Sequence, residues 1–225
     1  MTVLVLAAHP DDEVLGCGGA IARHTEAGDA VHTVFIADGE TSRGDGAAAK
    51  DRVRAREDMA RKAADVLGAA PPVFLRFPDN RLDTVPLLEI AQGIEEQVRS
   101  VQPHCVYTHS AADMNVDHRL THQAARTALR PQAGMSAVRI LGFEIPSSTE
   151  WGGSGFGPVF EPTVGIDATP YIERKLAALG CYEPELRQMP HPRSKVAIEA
   201  LMQWRGAQFG MLHAEAFELI REITR

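Results

Sequence analysis

The sequence predicts an α/β fold with a mostly parallel sheet and helices on both of its faces. Short β-branched apolar runs alternate with longer segments of helical period, which is the pattern of βαβ units. The 225 residues are enough for one sizeable core, and 44% hydrophobic with 24% charged residues is typical of a globular domain. No internal repeat divides the chain, so we expect a single Rossmann-like domain over residues 1–225.

The predicted strands and helices follow one another along the chain. The strands are apolar runs rich in Val, Ile and Phe, at 3–8, 31–37, 72–76, 104–108, 138–144 and near 162–166. Segments of helical period lie between and after them, at 14–27, 48–67, 85–101, 118–129, 170–181 and from Ser194 onward. Gly68 is expected to stop the second helix, and Asp83-Thr84 to cap the third. The Gly/Ser-rich stretch 146–158, with Trp151 and Phe156, is interpreted as a rim over a site.

Charge and cysteine content exclude several classes of partner. The net charge is −7 with a pI near 5.7, so the chain lacks the basic character of a nucleic-acid-binding protein. The three cysteines, Cys17, Cys105 and Cys181, are widely spaced and odd in number, which favours a reducing compartment over a disulfide framework. No apolar run approaches the roughly 18 residues of a spanning helix, and no basic leader precedes the first strand. We therefore expect a cytoplasmic protein.

Acidic residues and histidines follow three of the predicted strands. They lie at 9–13 after the first strand, at 38–40 after the second and at 108–122 after the fourth. In an open parallel sheet, ligands bind beyond the carboxyl ends of the strands, where helix N-termini also point. These side chains are therefore candidates for a shared site.

A metal centre can be assembled from these segments. His9 and Asp12 are three residues apart with Pro10 stiffening the turn, and His118 stands where the loop after the fourth strand becomes a helix. Two histidines, one carboxylate and an open position form the ligand set of a catalytic zinc site, and the same set suits iron(II). The alternative is that Asp11 or Asp12 only caps the following helix.

The two motifs resemble those of a known family. "AHPDDEVLGCGG" at 8–19 and "DMNVDHRLTH" at 113–122 are similar to segments of the PIG-L, or LmbE-like, metal-dependent N-deacetylases, which include deacetylases of N-acetylglucosaminyl-inositol compounds. Weaker matches follow in the family's order, among them "RAREDMARKAADVLG" at 54–68, "FPDNRLD" at 77–83 and "HPRS" at 191–194. The resemblance thus spans most of the chain.

The resemblance implies catalytic and metal-binding roles for individual residues. It makes His9, Asp12 and His118 the zinc ligands and Asp11 the general base. Because family members place a histidine from the C-terminal part over the site, it also makes His191 a candidate to stabilise the oxyanion or protonate the leaving amine. A surface position for His191 is the alternative.

The residues around these positions are expected to orient the metal ligands, to bind substrate or to support the loop. Asp117 is interpreted as a carboxylate that orients groups around the metal or, alternatively, as the N-cap of the helix 118–129. The resemblance implies that Arg56 and Asp79 hold sugar hydroxyls, although a solvated helix charge and simple turn chemistry explain them equally. Asn115 stands where several relatives have a histidine, and it is expected to bind substrate or orient Asp117. Glu13 is expected to tie the loop together.

The expected function is zinc-dependent removal of the N-acetyl group from an N-acetylglucosamine-type amino sugar or glycoconjugate. One alternative is an amidase that cleaves a larger acyl amide of an amino sugar. Another is a non-catalytic module that binds a sugar or nucleotide, although "GCGG" at 16–19 does not fit the dinucleotide pattern G-x-G-x-x-G. The expected partner is a small N-acetyl sugar, without nucleic acid or a membrane span, and homo-oligomers are possible because relatives often associate.

Overall fold

The computed structural model of the chain describes residues 1–44, 46–132, 138–153 and 157–224. Within these residues, seven strands form one sheet in the order β3-β2-β1-β4-β5-β7-β6. The strands are β1 (Thr2–Ala7), β2 (Ala30–Ala37), β3 (Val73–Phe77), β4 (Cys105–His109), β5 (Arg139–Phe143), β6 (Val164–Asp167) and β7 (Ala214–Glu222). The first five are mutually parallel, whereas β7 runs antiparallel to both β5 and β6.

Seven α-helices accompany the sheet in the described part of the chain. They are α1 (Asp12–Glu26), α2 (Ala47–Leu67), α3 (Leu87–Val101), α4 (Val116–Ala128), α5 (Thr149–Gly152), α6 (Ile172–Gly180) and α7 (Lys195–Phe209). No helix among the described residues is both long enough and apolar enough to cross a bilayer.

The core has two layers because the side chains of each strand alternate between the faces of the sheet. On β1, Val3 and Val5 pack on one face with buried residues of α1, α2 and α6. Leu4 and Leu6 pack on the other face with α3 and α4. The predicted α/β fold, a mostly parallel sheet covered by helices on both faces, is therefore confirmed.

The end of the chain differs from the prediction. Residues from Ser194 onward were expected to be helical, but α7 stops at Gly210, whose left-handed backbone (φ 73°) ends it. The chain then returns as β7, between β5 and β6. Its acidic and alanine-rich sequence has good helix propensity. Pairing on both sides and burial of Phe217 outweigh that local preference.

Of the predicted helix ends, the end of α2 agrees with the structure and the start of α3 does not. Gly68 is left-handed (φ 73°) and stops α2 as expected. The expected cap of the third helix was wrong, because α3 starts at Leu87 behind Pro86, and Asp83-Thr84 belong to a preceding 3₁₀ turn. Of the expected rim, Trp151 is 55% exposed in α5, while Phe156 lies outside the described residues.

The strand order places a crevice at one edge of the sheet. The chain moves outward in one direction from β1 to β2 and β3, and in the other from β4 to β5. The segments that follow the neighbouring strands β1 and β4 therefore separate at a topological switch point, which is where open α/β sheets bind ligands. The predicted site residues His9 and His118 belong to these two segments.

Candidate metal centre

The turn after β1 fixes His9 and Asp12 to each other. The His9 amide donates to Asp12 Oδ2 at 2.9 Å, and the Asp12 amide donates to the His9 carbonyl at 3.2 Å. Asp11 between them has a φ of 123°, a value that L-residues rarely adopt. The two neighbouring acidic side chains have different partners: Asp12 contacts His9 and His118, whereas Asp11 contacts Arg193.

Three donor atoms from the two segments form a compact triangle. His9 Nδ1, His118 Nε2 and Asp12 Oδ2 lie 3.3 Å from one another along every edge. Tetrahedral zinc with bonds of about 2.0–2.1 Å needs ligand atoms about 3.3 Å apart. The triangle thus has the dimensions that a small divalent ion requires, and it supplies three of the four donors of a tetrahedral site.

An unpartnered oxygen also fits an ion at this place. Asp12 is fully buried, and within the described residues its Oδ1 has no hydrogen-bond partner. A buried carboxylate oxygen without a partner is costly unless a cation or water satisfies it. The residues present therefore fit a metal ion, and their two imidazoles and one carboxylate suit zinc or iron(II).

Each of the two triangle histidines has a carboxylate at its other ring nitrogen. Asp117 Oδ2 lies 3.0 Å from His9 Nε2, and Asp113 Oδ1 lies 3.1 Å from His118 Nδ1. A carboxylate in this position fixes the tautomer and orientation of a ligating histidine. The orienting role of Asp117 stays a prediction, and the geometry adds Asp113, which was assigned no role from the sequence, as a second carboxylate at a histidine ring nitrogen.

Asp117 is itself held rigidly, and it is not the N-cap of the following helix. Its carboxylate accepts from the amides of Asn80 at 2.7 Å and Leu82 at 3.0 Å. The helix α4 starts at Val116, and its N-cap is Asn115, whose side chain accepts from the Asp117 amide at 2.8 Å. The N-cap alternative for Asp117 was therefore wrong.

The charges of the cluster support one another despite burial. Burial lowers the pKa of His118, but Asp12 and Asp113 outweigh it and raise that pKa to about 9. Burial likewise opposes the charge of Asp12, yet His118 and His9 hold its pKa well below the usual range. His109 is stacked on His118 with ring centroids 4.0 Å apart, and burial lowers its pKa. A divalent ion at this place must displace the proton of His118, because a histidine binds metal through a deprotonated ring nitrogen.

The Asp11 carboxylate contacts an arginine from the C-terminal part of the chain. Arg193 Nη1 donates to Asp11 Oδ2 at 3.0 Å, and Arg56 Nη1 lies 3.9 Å from the same oxygen. Burial raises the pKa of Asp11 to about 6, although both guanidiniums favour the charged form. Glu13 accepts from the Asp11 amide at 3.0 Å and from the Tyr182 hydroxyl at 2.7 Å, which agrees with its expected structural role.

His191 lies beside the site without a contact to the triangle. Its ring centroid is 6.2 Å from that of Trp151, and its Nδ1 accepts from the Arg193 amide at 3.0 Å. The catalytic role of His191 stays a prediction. The sequence reasoning missed Arg193, although the signal was present in the "HPRS" segment, which was noted only for its family order.

A polar cleft of about 120 Å³ opens beside these groups. The three residues predicted to bind substrate, Arg56, Asp79 and Asn115, all line it. Two of them already have strong partners. Arg56 Nη2 donates to Glu40 Oε1 at 2.8 Å and is ion-paired with Glu185, and Asp79 Oδ1 lies 3.1 Å from His9 Nε2. Arg56 is thus a buried member of an ion-pair network rather than a solvated helix charge.

Comparison with known proteins relates the chain to enzymes. Residues 4–129 match the PIG-L family, GlcNAc-PI de-N-acetylase. The chain is 31% identical to the uncharacterized deacetylase YaiS of Escherichia coli, over 79% of this chain and 88% of that protein. It is 32% identical to the 4-oxalmesaconate hydratase of Pseudomonas putida, over 80% of this chain and 72% of that protein.

Two further similarities agree with these relations. The 1D-myo-inositol 2-acetamido-2-deoxy-alpha-D-glucopyranoside deacetylase of Rhodococcus erythropolis is 29% identical, over 88% of this chain and 71% of that protein. The solved structure of the conserved protein TT1542 from Thermus thermophilus superimposes with a TM-score of 0.77 at 25% identity, covering 99% of this chain and 96% of that one. The relatives therefore include a deacetylase of an N-acetylated sugar, an uncharacterized deacetylase and a hydratase.

Proposed function

Because the chain belongs to the PIG-L family, we propose that it is a metal-dependent hydrolase that removes the N-acetyl group from an N-acetylglucosamine-type amino sugar or glycoconjugate. The observation that carries this proposal is the triangle of His9, Asp12 and His118, with its 3.3 Å edges. These three residues would hold Zn²⁺, or alternatively Fe²⁺. A bound ion of this kind supplies a Lewis acid and lowers the pKa of a coordinated water to about 7.

Asp11 is proposed as the general base. Asp11 lines the cleft together with His9, and it is adjacent in sequence to the proposed ligand Asp12. There it accepts the proton of the water that attacks the amide carbonyl of the substrate. Arg193 donates to the same carboxylate and so fixes its orientation.

The departing amine needs a proton and the developing oxyanion needs a donor. We propose His191 for one of these roles. Its loop carries Arg193, which reaches the cleft, and its ring packs near Trp151. Replacing His191 by Ala should lower kcat for acetate release and leave the bound-metal content unchanged. An unaltered kcat would remove His191 from the mechanism.

We propose Arg56, Asp79 and Asn115 as the residues that contact the sugar. All three line the cleft. The Asn115 amide nitrogen donates to Asn80 Oδ1 at 3.2 Å at the exposed rim, so a hydroxyl group can replace this contact at little cost. Asp79 and Arg56 are more deeply held, and we expect them to shape the cleft as well as to bind.

The test measures acetate release by the metal-loaded protein from a panel of N-acetylglucosaminyl compounds. Asp12→Asn serves as a negative control, because it replaces the anionic donor of the triangle by a neutral amide with little change in volume. Panel members with N-butyryl or cysteinyl groups test the amidase alternative, since only the acyl chain differs. Metal-loaded protein that releases acetate from none of the N-acetyl compounds would contradict the proposal.

A second candidate function is hydration of an unsaturated polycarboxylate. It is favoured by the 32% identity to a hydratase and by three arginines that line the cleft, Arg43, Arg56 and Arg193. All three are paired with carboxylates of the chain, namely Glu185, Glu40 and Asp11, so an anionic substrate would have to replace those partners. Loss of the absorbance of a conjugated enol or diene acid, without acetate release from the sugars, would identify this activity.

A further inference from the structure

The helix that carries Asp12 is broken near its start. Cys17, inside α1, has a non-helical backbone with φ −148° and ψ 25°. The break separates a short first segment, which begins with Asp12, from the longer part that ends at Glu26. A break of this kind interrupts the i→i−4 ladder and leaves backbone donors and acceptors without helical partners.

Two buried side chains from the C-terminal part of the chain satisfy those groups. Glu215 on β7 accepts from the Gly19 amide at 2.8 Å and from the Ala20 amide at 2.7 Å. Lys175 on α6 donates to the Leu15 carbonyl at 2.9 Å and to Glu215 at 2.6 Å. Lys175 is 2% exposed and Glu215 is 4% exposed. The charged pair therefore bridges the two sides of the break.

The glycines of "GCGG" allow this close packing. A Cβ on Gly16 would lie 2.4 Å from the Phe143 ring, and one on Gly19 would lie 2.9 Å from Ala168 Cβ and 3.2 Å from the Glu215 carboxyl carbon. A Cβ on Gly18 would lie 3.2 Å from Lys175 Cγ. The motif thus allows the broken helix to pack against β5, α6 and β7. The amides of Gly19 and Ala20 donate to the Glu215 carboxylate of the chain itself, whereas the amides of a phosphate loop donate to a ligand.

We propose that Lys175 and Glu215 are positioning residues that set the direction of the segment carrying Asp12. Lys175 holds the end of that segment through the Leu15 carbonyl, and Glu215 holds the start of the longer helix. Because Asp12 is one corner of a triangle with 3.3 Å edges, a small rotation of its segment changes the distances to His9 and His118. This inference rests on the proposed metal-dependent function, and both residues lie outside the segment 4–129 that matches the family.

The test uses the double variant K175M/E215Q. Removing one member alone would leave a buried charge unpaired and could unfold the chain, whereas replacing both removes the charge as a pair. The substituted amide can accept from only one of the two helix amides, so the bridge across the break is weakened. The matched control is Glu144→Gln, which breaks the ion pair with Arg205 (2.7 Å) in the same part of the chain without touching α1.

Two measurements decide the inference. The first is the affinity for Co²⁺ by chelator competition, together with the d–d absorption of the bound ion, which reports ligand geometry. The second is amide hydrogen exchange over residues 12–20. For K175M/E215Q we expect roughly tenfold weaker Co²⁺ binding, which is the size of effect seen when residues that orient metal ligands are replaced. We also expect a shifted d–d band and faster amide exchange confined to residues 12–20. Glu144→Gln should retain the wild-type values.

The outcomes separate this inference from the proposed function. A folded K175M/E215Q with wild-type Co²⁺ affinity, spectrum and exchange would overturn the positioning role. Wild-type protein that binds no Co²⁺ would overturn the proposed metal-dependent function. In that case, faster amide exchange of K175M/E215Q confined to residues 12–20 would still support the conclusion that Lys175 and Glu215 fix this segment. Unchanged exchange would overturn that conclusion.

Discussion

Two buried charged clusters in this molecule differ in whether their carboxylate oxygens all have hydrogen-bond partners. In the Lys175–Glu215 pair, both carboxylate oxygens accept hydrogen bonds from the backbone or from Lys175. In the candidate metal centre, Asp12 keeps an oxygen without a partner among the described residues, and three donor atoms converge at 3.3 Å. Burial of charge therefore does not by itself indicate function. A functional site is indicated when several potential metal-ligand atoms lie close together and one of the groups keeps an oxygen without a hydrogen-bond partner.

The strongest test of this difference removes a corner of the triangle. Asp12→Ala should abolish stoichiometric binding of Zn²⁺ and reduce acetate release below detection, while the chain stays folded. Asp12 is not part of the hydrophobic core. The substitution also removes a buried carboxylate oxygen that has no hydrogen-bond partner among the described residues. Elemental analysis, circular dichroism and the acetate assay on the same preparation check this. Retention of one equivalent of zinc would refute the assignment of Asp12.

A second test separates the two neighbouring carboxylates. Asp11→Asn should lower kcat by roughly 10²–10⁴-fold, the usual contribution of a general base, and should leave the zinc content at the wild-type level. Asn cannot accept a proton, but it can still accept the hydrogen bond from Arg193. Steady-state kinetics together with elemental analysis decide the point. Zinc loss in this variant would instead make Asp11 a ligand.

The structural cluster should respond in the free energy of unfolding. Lys175→Met leaves the Glu215 carboxylate buried without its cation, and we expect a loss of about 3–5 kcal/mol. Urea denaturation monitored by fluorescence measures this. Lys195→Met at the exposed start of α7 is the control and should change the free energy by less than about 0.5 kcal/mol. A similar small change for Lys175→Met would show that the pair is dispensable for stability.

The smallest expected effect concerns the carboxylate behind His9. Asp117→Asn should weaken Zn²⁺ binding by roughly 10–100-fold, because the acceptor that orients the His9 ring becomes neutral. Asp58→Asn, at an exposed position of α2, makes the same chemical change away from the site and should have no effect. Equal affinities for the two variants would place Asp117 outside the metal centre.

The comparison also shows where sequence reasoning succeeds. The apolar runs at 3–8 and 104–108 nearly coincide with β1 and β4, because fully buried parallel strands are continuous hydrophobic segments. Once these two strands were expected, the histidines and aspartates after them could be placed at one edge of the sheet. Pro10 and the short spacing of His9 and Asp12 gave the local part of the triangle.

Features that depend on distant contacts were not predicted. Asp113 is assigned a role only because it lies 3.1 Å from His118. Arg193 is assigned one because it donates a hydrogen bond to Asp11, 182 positions away in the sequence. The side chains of Lys175 and Glu215 likewise meet only after α6 and β7 have packed against α1. The order of residues along the chain does not encode such distances directly.

The sequence by itself determined the α/β class, the positions of most strands and the motif that carries the candidate ligands, because hydrophobic periodicity and turn chemistry are local. Only the tertiary structure decided that the last segment is a strand and which carboxylates orient which histidines. It also decided how the broken helix is held. The physical reason is that β7 is stabilised by pairing with β5 and β6, which outweighs its own helix propensity, and side-chain networks form only when separate elements have packed.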